Sequence, residues 1–190
     1  VCAALLLAGC ITSTLKSSGG HIDSAKAALD KGDLNQAEAE YLQAGYRSEG
    51  NQWAIAESTR GIAQVGIARL KLKVPELRKL TTPPAEAIAT VVVERKNLRG
   101  FGGDAELDKQ LVIIIGEHAE RWILAEEGRV AQGSSYIAAH AITQLLSVRD
   151  LPASIIARAI KLRATAGKQA QLRASAAGAA HPITQRFHLG

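Results

Sequence analysis

The chain has 190 residues, of which 47% are hydrophobic and 22% charged, enough to bury a core and too apolar for a disordered chain. Aromatics make up only 4%, while Ala fills 34 positions; Ala is the best helix former and strands favour aromatic and β-branched residues, so an all-α fold is expected. The formal net charge is +5, and the two Cys, at positions 2 and 10, exclude a disulfide framework or a Cys-rich metal site.

Val1 to Gly9 (VCAALLLAG) is an apolar run that ends in small residues before Cys10. Nine residues span about 14 Å as a helix, half of a bilayer core, so this is no membrane span. The run resembles the apolar region of a secretory signal, and Leu7-Ala8-Gly9-Cys10 resembles the lipobox of bacterial lipoproteins. Small residues there let a peptidase reach the backbone, and the Cys sulfur is the nucleophile that takes the lipid. The resemblance implies that residues 1–9 are cleaved, that Cys10 is the site of lipid attachment (palmitate or a similar acyl chain), and that the mature protein sits in the periplasm. Several acyl chains together give stable anchoring. Ile11 follows the Cys, where an inner-membrane lipoprotein would be expected to carry Asp, so the periplasmic face of the outer membrane is the expected address. Residues 10–20 continue as Ser, Thr and Gly with one Lys, a composition that reads as a flexible tether.

From His21 to Lys31, the residues Ile22, Ala25, Ala28 and Leu29 recur at helical spacing, and Gly32-Asp33 supplies a stop and a new N-cap. Gly32, Leu34, Ala37, Tyr41 and Ala44 then follow the spacing of the second helix of a tetratricopeptide repeat, which this hairpin resembles. In that pattern the alanines let two helices approach closely and Tyr41 fills the space between repeats. The first helix departs from it, with Ala28 where Tyr is usual, and Glu49-Gly50 stand where Pro would follow the second. Asn51 can cap a third helix bearing Trp53, Ile55, Ile62, Val65, Ile67 and Leu70, and its Gly61 lies 36 residues after Ala25, close to the repeat period of about 34. Residues 21–74 are thus expected to form tetratricopeptide-like hairpins.

Residues 75–173 are expected to continue the same domain as further hairpins, about eight helices in all, stacked as a short solenoid. Thr82-Pro83-Pro84 is a helix-start signal, and Ile88 to Val93, though β-branched, has no partner strand and reads as helix. Gly100 to Gly103 is a loop and Asp104 a cap. The next helix carries Leu107, Leu111, Ile114, Ile115, Trp122 and Ile123, and its run Leu111 to Ile115 is apolar all round, the mark of a central helix. A helix near 133–148 and another from Ala153 to about Arg173 follow, with 174–190 expected to be an Ala-rich, basic and partly disordered tail.

Charge is unevenly placed: residues 1–150 hold 17 basic and 18 acidic groups, whereas 151–190 hold six basic groups and no acid. Arg158, Lys161, Arg163, Lys168 and Arg173 therefore form a basic helix that reads either as a solvated terminal helix or as one that could meet anionic lipid, acidic polymer or an acidic partner. Nucleic acid is not expected at a periplasmic address. His140, among Ile137, Ala141 and Ile142, reads as a core or interface His.

No catalytic residue is expected. Gly100-Phe101-Gly102-Gly103-Asp104-Ala105 mimics a dinucleotide fingerprint but lacks the βαβ context. His118 lacks a second His at i+4 for a zinc helix, and Glu117 with Arg121 reads as a surface ion pair. Ser134, Ser135, His140 and Asp150 could be drawn as a triad, but no nucleophile elbow accompanies them. No metal or cofactor is expected. The sequence thus reads as a non-catalytic adaptor or structural subunit of an envelope assembly, with other envelope proteins as partners. Asn35, Glu38, Gln43, Arg47 and Gln52 are candidate groove residues. Two other classes remain open: a carrier holding an apolar ligand among Trp53, Phe101 and Trp122, and a cell-wall glycan enzyme using Glu117 or Glu120 as the acid.

Overall fold

The helix-forming composition is realised throughout residues 16–180, the part of the chain described in our computed structural model. Seven α-helices account for its regular structure, with no strand among the described residues: α1 (Ser18–Asp30), α2 (Leu34–Tyr46), α3 (Gln52–Arg78), α4 (Pro84–Gly100), α5 (Ala105–Ala131), α6 (Ser135–Leu146) and α7 (Ala153–Ala180). The protein is all-α. Cys10 and the apolar run before it lie outside the described residues.

Helix boundaries follow local chemistry. Asp33 accepts from the Gln36 amide to cap α2, Asn51 Oδ1 accepts from the amides of Trp53 and Ala54 at the start of α3, and Asp104 accepts from the amides of Glu106 and Leu107 at the start of α5. At the end of α1, Gly32 adopts φ +76°; its N–H reaches the Leu29 carbonyl and the Asp33 N–H reaches Ala28, the paired bonds of a Schellman stop. Gly102 ends α4 the same way, with φ +94° and bonds from Gly102 to Arg99 and from Gly103 to Leu98. The glycine-rich stretch that mimics a dinucleotide fingerprint is therefore a helix stop running straight into a helix cap.

Three boundaries differ from expectation. α1 begins at Ser18, inside the stretch expected to be tether, because the Ser17 hydroxyl caps it by accepting from the Gly20 amide at 3.2 Å. α3 runs through Pro75 to Arg78; a proline this close to the end withholds one helix hydrogen bond and breaks little. α7 extends past Arg173 to Ala180, carried by its alanines.

The chain divides into two compact units at Arg69/Leu70, within α3. In the first, α1 packs against α2, with Ala25, Ala28, Ala37 and Ala44, each at most 3% exposed, as the small residues of the shared core. Tyr41, 1% exposed, reaches from α2 to α3, where its ring lies against Gly61. The core is completed by Ile22, Ala54 and Val65, with Leu29, Leu34 and Ile62 at its edge. The buried face of α3 is Ala54, Ser58, Gly61 and Val65. Trp53 and Ile55 flank Ala54 by about 100° on either side and lie off that face, 57% and 39% exposed, a correction to their expected core role.

In the second unit α5 is the hub, packing against α4, α6 and α7. Leu107, Leu111, Ile114, Ile115, Trp122 and Ile123 are all buried as expected, while Ile113 emerges on the far side, 52% exposed. No helix among the described residues is long and apolar enough to cross a membrane.

Candidate functional site

The expected groove residues divide into two groups. Arg69 on α3 donates to Asn35 Oδ1 at 2.9 Å and pairs with Glu38 at 2.6 Å, so these two serve the internal joint between α2 and α3. Gln43, Arg47 and Gln52 are exposed. They stand in sequence beside Leu42, Tyr46 and Trp53, which are 41%, 81% and 57% exposed. Leu42 and Tyr46 share a face one turn apart on α2, and Trp53 opens α3. With Tyr136 on α6, three aromatic side chains project outward in a chain that has only seven. Of these only Trp53 was expected in a core; Tyr46 and Tyr136 were not singled out in the sequence.

A second cluster joins α1 and α2. His21 Nδ1 lies 2.6 Å from Glu40 Oε2, and Lys16 Nζ is 3.2 Å from Glu40 Oε1. The His21 hydrogen bond, aided by Lys16, holds the Glu40 carboxyl below the usual carboxylate range. His21 Nε2 is buried with no hydrogen-bond partner among the described residues.

The candidate catalytic groups of the second unit are each bound into structure. His118 is 1% exposed. Its Nε2 lies 2.8 Å from the Leu77 carbonyl and its Nδ1 faces the Arg121 guanidinium, an arrangement that requires the Nε2–H tautomer. Arg121 also donates to the Leu80 carbonyl at 3.0 Å, and Glu117 pairs with Arg78 at 3.1 Å. This corrects the expected Glu117–Arg121 pair: the last residue of α3 and the segment just after it offer the two residues separate partners. Glu120 pairs with Arg158. Ser135 is buried and donates to Gln169, His140 is exposed beside Gln144 rather than in the core, and Asp150 pairs with Arg95 and Arg99, so these three do not assemble a triad. Phe101 is partly buried and Trp122 buried. No group of three or more potential metal ligands comes together among the described residues.

The basic helix is likewise split. Ile155, Ala159, Leu162 and Ala166 form the buried stripe of α7. From its flank Arg158 grips Glu127 with both Nη2 and Nε, the shortest contact being 2.8 Å, and also reaches Glu120 on α5. Arg173 donates to the Gly133 carbonyl. Lys161, Arg163 and Lys168 are exposed and, among the described residues, have no carboxylate partner; Arg173 is bound only to a neutral carbonyl, so these four, and not Arg158, carry the uncompensated charge of this helix.

One cluster escaped sequence reasoning. Arg95 on α4 donates from Nε and Nη2 to both oxygens of Asp108 at 2.6 and 2.8 Å, and from Nη1 to Asp150 at 2.8 Å. Its guanidinium holds the Asp108 carboxyl below the usual range. Arg99, one turn on, reaches the same Asp150 oxygen at 3.3 Å. Asp150 takes φ +65°, a left-handed conformation that Asp tolerates better than most residues. Val92, Arg95, Lys96, Arg99, Arg149 and Asp150 line a cavity of about 200 Å³. The Arg95-Lys96-x-x-Arg99 stripe was legible as one helix face; its meeting with Arg149 was not.

The chain matches no protein-family model, no curated protein and no solved structure.

Proposed function

We propose that this protein is a lipid-anchored, non-catalytic adaptor of an envelope protein assembly, held at the periplasmic face of the outer membrane through Cys10. Anchorage rests on the order of apolar run, Leu7-Ala8-Gly9-Cys10 and Ser/Thr-rich stretch. The observation that carries the binding reading is the outward placement of Tyr46 and Trp53, with Leu42 beside Tyr46 and Gln43, Arg47 and Gln52 as polar neighbours. Aromatic anchors within a polar rim are the composition of protein–protein hot spots, and leaving two of them in water is otherwise unfavourable.

The test is capture of the full chain from gently solubilised membranes through a C-terminal tag, comparing wild type, Cys10→Ala and Tyr46→Ala/Trp53→Ala. The expected result is a stoichiometric protein partner lost from the aromatic double variant, whose helicity and thermal midpoint stay at wild-type values. Cys10→Ala should leave the membrane fraction. A wild-type chain that emerges alone would overturn the adaptor reading, and a Cys10→Ala chain that stays with the membrane would overturn the anchor.

A further inference from the structure

We infer that the cavity lined by Val92, Arg95, Lys96, Arg99, Arg149 and Asp150 is a binding site for a phosphate group. The site lies wholly within the second unit and is independent of the adaptor reading.

The argument starts from charge. Four cationic side chains line one cavity with a single carboxylate among them, and the second carboxylate nearby, Asp108, is engaged by both edge nitrogens of Arg95. Like charges gathered this closely repel; Asp108 and Asp150 offset two of the four, and the surplus that remains favours a bound anion. Arg95 is fixed: its side chain is only 12% exposed and its three nitrogens are all committed to Asp108 and Asp150. Arg99 gives one nitrogen to Asp150 and retains further N–H groups. Lys96 and Arg149 have no carboxylate partner among the described residues. The donors left over are thus those of Arg99, Lys96 and Arg149, converging from α4 and from the turn before α7.

Geometry narrows the ligand. Asp150, held in its left-handed conformation, bridges Arg95 and Arg99 and so orients Arg99 in advance of any ligand, which reduces the ordering cost of binding. Arg and Lys together match the several acceptor oxygens of a phosphate better than a single carboxylate would. At about 200 Å³ the cavity falls below the range of about 300–1,000 Å³ typical of drug- and cofactor-sized ligands, so it takes a headgroup-sized anion. Val92, 38% exposed, gives the cavity an apolar wall against which a glycerol or acyl carbon could rest. The phosphate can therefore come from free phosphate or from the headgroup of a phosphomonoester lipid.

The experiment titrates the full chain with inorganic phosphate at constant ionic strength, following thermal midpoint and backbone amide NMR shifts, with chloride as the reference anion. Saturable shifts centred on 92–99 and 149–150 are expected, weakened at least about tenfold in Lys96→Gln/Arg149→Gln. Lys161→Gln/Lys168→Gln removes the same charge from α7 and should bind as wild type. A parallel titration with water-soluble dihexanoylphosphatidate distinguishes the sources: tighter binding than inorganic phosphate assigns a lipid headgroup, equal binding a free phosphate. No saturable effect beyond that of chloride would overturn the inference, as would equal loss in the two double variants.

Discussion

Gly61→Ala isolates the contact on which the first unit turns. A Cβ added at Gly61 would come within 3.0 Å of the Tyr41 ring, whereas carbon atoms rest at about 3.5–4.0 Å. Tyr41 is 1% exposed and surrounded by Ile22, Ala25, Ala37 and Ala44, none more than 1% exposed, so the ring has no free space to enter and the helices must move apart. Overpacking of this kind costs about 1–3 kcal/mol, and so direct a clash belongs at the upper end. Against it stands the gain of about 1 kcal/mol from replacing a helical Gly by Ala, which leaves a net loss near 2 kcal/mol. Gly167 in α7 and Gly128 in α5 have nothing within 4 Å of an added Cβ, so the same change there should stabilise by up to about 1 kcal/mol. The assay is urea unfolding followed by far-UV circular dichroism and tryptophan fluorescence. Tyr41→Leu closes the cycle: with the ring gone, Gly61→Ala should become neutral or stabilising, a coupling of about 3 kcal/mol. If Gly61→Ala stabilises as Gly167→Ala does, or if Tyr41→Leu fails to relieve it, Tyr41 does not pack against α3.

Further outcomes concern the second unit. The Asp108 carboxyl is held low by Arg95, so its ion pair contributes stability above the unfolded value of about 3.9 and loses it as pH falls, because the unfolded chain takes up the proton first. Asp108→Asn should therefore unfold at lower urea than wild type at neutral pH, and the gap should narrow as pH drops toward about 3; a gap independent of pH would refute the assignment. His118→Leu leaves the Leu77 carbonyl without its donor and Arg121 with only the Leu80 carbonyl as acceptor, and should cost about 1–3 kcal/mol in urea unfolding. An unchanged midpoint would mean that the buried imidazole is not bonded as described. Arg158→Gln should lower the thermal midpoint by breaking contacts to both Glu120 and Glu127, whereas Lys161→Gln should stay within about 0.5 kcal/mol of wild type; equal effects would mean that Arg158 is as free as Lys161.

The sequence by itself determined what depends on neighbours three or four residues away. Ala-rich segments became helices, Asp33, Asn51 and Asp104 capped them, and Gly32 and Gly102 stopped them, because each of these bonds closes within one turn. The buried faces of α1 and α5 were legible for the same reason, since spacing alone aligns Ile22 with Ala25 and Leu111 with Ile115. Val65 and Leu70 of α3 are buried as expected, but its first turns were misread because the core there is made of Ala54, Ser58 and Gly61, small residues that hydrophobicity underrates, while Trp53 and Ile55 carry the apolar signal outward.

Tertiary structure decided which charges meet. Arg158 and Glu127 are 31 residues apart, His118 and Leu77 are 41, and Arg95 and Asp150 are 55. Each pairing depends on the rotation and register of one helix against another, which the packing of whole faces sets. Exposed Lys161 and committed Arg158 are three positions apart on one helix and look alike in sequence; only the position of α5 separates them. The phosphate cavity belongs to the same class, because the stripe on α4 becomes a site only where the turn before α7 brings Arg149 and Asp150 to it.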